Sequence, residues 1–95
     1  MNVYVTETGF PDDSNYLGVL QAREDQTLLE LKNMIIIMPY FSTKTIFEDC
    51  LRLREVRKDM FFGRVYRGNS LTLKKIGIEN NVSIVAQVKI PINNI

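Results

Sequence analysis

Apolar and polar residues alternate along Asn2–Thr6, with Val3 and Val5 on one side and Asn2, Tyr4 and Thr6 on the other. A period of two sends neighbouring side chains to opposite faces, so this stretch predicts a half-buried strand with Tyr4 and Thr6 facing outward. Thr8-Gly9-Phe10-Pro11-Asp12-Asp13-Ser14-Asn15 is dense in turn formers and predicts a loop. A second strand is expected over Tyr16–Ala22, with Gly18 as a weak point or bulge, and the two strands make a hairpin.

The period then changes. Leu28, Leu31 and Ile35 fall at i, i+3 and i+7, one apolar stripe of a helix. Thr27 and Glu30 have the spacing of a capping box, with Asp25 as an alternative cap, and Pro39 predicts a stop at about Met38. Leu29, Met34, Ile36, Ile37 and Met38 are more apolar surface than one buried stripe accommodates. We expect them to pack on residues 39–49, where Tyr40, Phe41, Ile46 and Phe47 fold back as a short helix starting near Ser42 or Thr43. A partner-binding patch is the alternative.

Alternation resumes over Cys50–Val56, with Leu51 and Leu53 inward and Arg52 and Arg54 outward. Phe61–Tyr66 predicts another short strand, Gly68-Asn69 a turn, and Leu71–Ile78 an irregular or 3-10 segment anchored by Leu73, Ile76 and Ile78. Asn80-Asn81 predicts a tight turn before a last strand over Val82–Lys89, with Ile84, Ala86 and Val88 on one face. The order is β-β-α-β-β-(3-10)-β, with no internal repeat. It predicts an α+β domain over residues 1–90, a mixed sheet with one helix packed across it, and a flexible tail or linker over 91–95.

At 95 residues and 45% apolar, the chain suits one domain with a modest core. Its longest apolar run, Met34–Met38, is far short of the roughly 20 residues of a membrane helix, and no basic-then-apolar leader pattern opens the chain. Neither membrane contact nor a signal peptide is therefore expected. Cys50 is the single cysteine and histidine is absent, which rules out an internal disulfide and a Cys/His zinc site. Cys50 is expected to be a small buried hydrophobe, and the composition suits a reducing, intracellular compartment, cytoplasmic or nuclear. We find no Gly-rich phosphate loop and no nucleophile–base pair, and the carboxylate pairs Asp12-Asp13 and Glu48-Asp49 sit in predicted loops. The expectation is a domain without a catalytic centre and without a cofactor.

Net charge is +1, but its distribution is uneven: residues 1–50 hold eight acidic and three basic side chains, residues 51–95 three acidic and nine basic. The later half supplies Arg52, Arg54, Arg57, Lys58, Arg64 and Arg67. Arg52 and Arg54 share one sheet face, and Arg64 is expected to join them from the adjacent strand. Arginine forks bind carboxylates in a bidentate manner, so the candidate is a docking face for an acidic protein surface. A solvated face kept charged for solubility is the bland alternative. Nucleic acid is not expected, because the total charge is near neutral and the aromatics are not interleaved with the basic residues.

Met1-Asn2-Val3-Tyr4-Val5-Thr6, Thr27-Leu28-Leu29-Glu30-Leu31-Lys32, Leu51-Arg52-Leu53, and Leu73-Lys74-Lys75-Ile76-Gly77-Ile78 followed by Val82–Val88 occur in the order and spacing of ubiquitin and its relatives. The chain resembles that family over about residues 1–89, which implies the β-grasp fold. Conjugating members end in Gly-Gly, whereas this chain closes Ile92-Asn93-Asn94-Ile95, so it resembles the embedded ubiquitin-like domains that are never attached to lysine. The family's apolar receptor patch aligns with Arg54 and Gln87, which implies no binding to ordinary ubiquitin receptors. Leu51-Arg52-Leu53-Arg54-Glu55-Val56 and Gly63-Arg64-Val65-Tyr66-Arg67 further resemble the ubiquitin-like domains inside ubiquitin-specific proteases.

The resemblance implies a protein-interaction module of a larger ubiquitin-pathway protein, a cysteine-type deubiquitinase whose protease core lies outside these residues. It would dock partners or regulate the catalytic domain, with Arg52, Arg54, Arg64, Arg67 and Gln87 as the binding residues. A monomer is expected. The alternatives are a β-grasp adaptor of the Ras-association or FERM-lobe type, and a free-standing modifier with a trimmed C-terminus. Ras-binding members place Lys or Arg on the edge that Tyr4 and Thr6 occupy here, which disfavours that adaptor.

Overall fold

In a computed structural model, which describes residues 1–6, 16–42, 50–56 and 63–88, the regular elements follow the local chemistry closely. The first strand, β1, is Asn2–Thr6, and β2 is Tyr16–Gln21, its antiparallel partner. The register shifts between Val5 and Thr6, because Val5 pairs with Gly18 and Thr6 with Tyr16. Leu17 is the extra residue of the bulge expected beside Gly18. A Cβ at Gly18 would lie 2.6 Å from the Met38 methyl carbon, so the tip of that side chain would have to shift to admit one.

Helix α1 spans Leu28–Ile36 and has the full capping box. Thr27 Oγ1 accepts from the Glu30 backbone N–H at 3.2 Å, and the Glu30 carboxylate accepts from the Thr27 N–H at 3.3 Å. Leu28, Leu31 and Ile35, the predicted stripe, are its buried residues. The helix ends earlier than expected. Ile37 is its C-cap, and Pro39 opens a second helix, α2, Pro39–Ser42. A proline is well placed at a first helical position, where its missing N–H has no partner to lose. The fold-back helix therefore starts at Pro39 and not near Ser42 or Thr43, and residues 43–49 lie outside the described set. The apolar excess is divided: Met38 and Phe41 are buried, Ile36 and Tyr40 pack against the core, and Ile37 is 73% exposed.

Strand β3 is Leu51–Glu55, and β4 is Val82–Val88. The sheet order is β2-β1-β4-β3, with β1 parallel to β4 and the other two pairings antiparallel. This is an α+β architecture built on a four-stranded mixed open sheet. The strand expected over Phe61–Tyr66 is reduced, within the described residues, to a single bridge between Val65 and Arg54. Phe61 and Phe62 lie outside them. The expected 3-10 segment is a one-turn α-helix, α3, Leu73–Ile76, capped by Thr72 Oγ1 accepting from the Lys75 N–H. Gly77 closes it in the left-handed region at φ 94°, with Ile78 N–H on Leu73 O at 2.9 Å and Gly77 N–H on Lys74 O at 3.1 Å. That is a Schellman closure, which favours glycine.

Helices α1 and α3 are joined at their N-termini. Leu28 and Leu29 donate to the carbonyls of Leu71 and Asn69, at 3.0 and 3.1 Å. In return Leu73 and Lys74 donate to the carbonyls of Gln26 and Glu24, at 2.8 and 3.0 Å. A helix start leaves backbone N–H groups without intrahelical partners. Here each of the two helices satisfies them with the loop that precedes the other.

The core lies between α1, α2, α3 and one face of the sheet. Val3, Val5, Leu53, Ile84 and the helix residues Leu28, Leu31, Ile35, Phe41 and Leu73 are all within 1% of complete burial. Two side chains keep their predicted face but not their predicted exposure. Val88 points to the core face but is 39% exposed, and it lies beyond the described β1 ladder, which ends at Thr6–Val85. Thr6 lies on the outward face as its register requires, yet it is 1% exposed, as buried as its neighbour Val85. Cys50 is half-buried, not fully buried.

Leu53→Ala removes a fully buried side chain beneath α1 and is expected to cost about 2–5 kcal/mol in denaturant unfolding. Thr72→Ala removes the cap of α3 and is expected to cost about 1 kcal/mol in the same measurement.

Candidate functional site

Sheet register decides which arginines meet. Arg52 pairs with Gln87 and Arg54 with Val85, so Arg52, Arg54 and Gln87 share the face opposite the helices. Arg54 is half-buried, and its Nε donates to Gln87 Oε1 at 3.1 Å across the strand pair. Arg54 and Gln87 are thus bonded to each other.

The segment 63–66 runs antiparallel along the outer edge of β3. Glu55 N–H donates to Arg64 O at 3.0 Å and Tyr66 N–H to Leu53 O at 2.9 Å. The bridge between Val65 and Arg54 puts Val65 on the outward face and turns Arg64 and Tyr66 to the other. Arg64 therefore does not join Arg52 and Arg54 as expected. Its Nη2 donates to Ile76 O at 2.7 Å, at the C-terminal end of α3, and its Nε lies 3.3 Å from Glu55 Oε2. Its guanidinium also lies 5.3 Å from the centre of the Tyr66 ring. A Cβ on Gly77 would come within 3.1 Å of Arg64 Nη2, so the glycine also leaves room for this contact. Arg64 links the β3 edge to α3.

Tyr66 is 4% exposed. Burial, and secondarily the nearby Glu55 carboxylate, push its phenol up to about 12, with Arg64 opposing. Both dominant causes disfavour the phenolate.

Arg67 follows in the outward phase and is exposed. With Arg52 it lines a cleft of about 330 Å³, formed where the chain leaves the β3 edge, and Lys32 reaches the same cleft from α1. Lys32 Nζ donates to Asn69 Oδ1 at 2.8 Å. Leu51 and Val65 supply apolar wall. Lys32 escaped the sequence reading because the relation of the helix surface to the β3 edge is a tertiary fact. Arg67 is in the predicted basic set, without an assigned face. Arg57 and Lys58 lie outside the described residues.

No family model matches this chain, and no curated protein sequence matches it. Among the described residues no helix is long and apolar enough to cross a membrane.

In the folded state the Tyr66 phenol loses its proton near pH 12, and in the unfolded state near pH 10. The native state holds more protons between these values, so its stability falls as pH rises through that window. Thermal melts between neutral pH and about pH 11 are expected to show this decline, and Tyr66→Phe is expected to flatten it.

Proposed function

We propose that this chain is a ubiquitin-like β-grasp domain that acts as a protein-interaction module of a larger ubiquitin-pathway protein, with a ubiquitin-specific protease as the parent. Support for the fold comes from the sheet order β2-β1-β4-β3, the parallel pairing of the first and last strands, and the capped helix lying on one face. These features accompany the ordered motifs that resemble the family.

The observation that carries the functional reading is the outward face of β3 and β4. Arg54 and Gln87 align with positions where ubiquitin's relatives offer aliphatic side chains, Arg52 shares their face, and Arg67 extends the positive charge to the edge. An aliphatic receptor groove would have to desolvate the Arg54–Gln87 pair with no replacement for its hydrogen bonds, which is costly. An acidic protein surface offsets that desolvation with charge-assisted hydrogen bonds. The partner is therefore an acidic surface, either on a separate protein or on the parent's own catalytic domain. β1 and β2 contain no Lys or Arg, which argues against the Ras-association alternative.

Titrating the domain with a ubiquitin-receptor domain, followed by amide NMR, is expected to give no saturable shift at Arg54 or Gln87. Adding the parent's catalytic domain in trans is expected to shift Arg52 and Arg67, with binding weakened about tenfold in Arg52→Glu. Receptor binding at Arg54 would overturn the reading.

A further inference from the structure

We infer that the cleft between β3, Arg67 and α1 is a carboxylate-binding cleft that takes an acidic side chain from an extended segment of a protein partner. The inference rests on the proposed docking function and names the place and the chemistry of contact.

Three cations from three separate parts of the chain converge on this cleft: Lys32 from α1, Arg52 from β3, and Arg67 from the segment that leaves the β3 edge. Among the described residues no carboxylate lines it. Neither Arg52 nor Arg67 has an ion pair among the described residues, whereas Arg64 is held by Glu55 and by a helix carbonyl. The positive field is thus concentrated where the guanidinium groups are available, and an acidic segment is complementary to it.

The chemistry of the walls narrows the ligand. Half-buried Val65 offers apolar surface that suits the methylenes of a glutamate more than a compact inorganic anion, whereas Leu51, at 3% exposed, offers almost none. The first N–H groups of α1, the helix-start donors a phosphate would use, are bonded to Leu71 O and Asn69 O. Tyr66, the aromatic residue at the cleft, is 4% exposed and so cannot serve as a platform for stacked bases. A volume near 330 Å³ suits one or two side chains, not a folded surface. The Lys32–Asn69 hydrogen bond sets one wall, so the lysine charge is held at the cleft before a ligand arrives.

The test is an amide NMR titration of the full chain with three probes: a synthetic Glu-Val repeat peptide, its Gln-Val counterpart, and inorganic phosphate. The expected result is saturable shifts at Leu51, Arg52, Arg67, Gly68 and Asn69 with the Glu-Val peptide alone, weakening as salt rises. Arg67→Glu and Lys32→Gln are each expected to reduce affinity about tenfold, and Lys75→Gln, on an exposed residue of α3, to leave it unchanged. Melting curves establish that each variant is folded, and Arg67→Gln replaces Arg67→Glu should the latter not fold. Equal binding of the Gln-Val peptide, or equal shifts with phosphate, would overturn the carboxylate cleft. Shifts centred on Arg54 and Gln87 would overturn the cleft while leaving the wider docking reading standing. Absence of saturable shifts with every probe, at low salt, would overturn the cleft and the acidic-partner reading together.

Discussion

The reciprocal hydrogen bonding of two helix starts is the constraint on which the rest of the molecule depends. An N-terminal helical turn buried against other structure must find partners for its free N–H groups, or it carries their full desolvation cost. Here α1 takes carbonyls from residues 69 and 71, and α3 takes carbonyls from residues 24 and 26. Thr27 and Thr72, themselves bridged, cap the two helices from equivalent positions. A one-turn helix such as α3 has almost no stability of its own, because nucleation is costly and little propagation follows. It exists because α1 supplies the partners and because Leu73 and Ile76 enter the core.

That contact also locates the candidate site. Asn69 gives its backbone carbonyl to Leu29 and its side-chain carbonyl to Lys32. The same residue therefore fixes the helix start and holds a cation beside the β3 edge. On the far side, Arg64 ties that edge to the end of α3 through Ile76 O, while Gly77 leaves the space it needs. The cleft lies between two rigid attachments, so its cations are positioned by the fold and not by loop chance.

The basic residues thus separate into two groups that composition alone does not distinguish. Arg64 holds secondary structure together, and Arg54 is half-buried against Gln87. Arg52 and Arg67, joined by Lys32, face the cleft. A chain of net charge +1 can present a concentrated positive site because its acidic residues fall largely in the earlier half, and none of the described ones lines that cleft. The proposed docking function follows from this local excess.

What the sequence determined by itself was whatever depends on near neighbours. The period-two runs around Val3 and Val5, and around Leu51 and Leu53, specify strands and their buried faces. The Thr27–Glu30 spacing specifies a helix start, and Asn81 and Gly68 supply the positive φ of their turns. Tertiary structure decided the remainder. Among the described residues it reduced the expected fourth strand to one bridge, let Pro39 begin a helix, made residues 73–76 an α-turn, and left Val88 partly open beyond the described β1–β4 ladder. It also sent Arg64 to a helix carbonyl and brought Lys32 to Arg67, 35 positions away in the chain. Alternation tells which face a side chain takes, because that is set within a residue or two. Which distant groups meet on that face depends on register and packing across the whole domain, which no local pattern encodes.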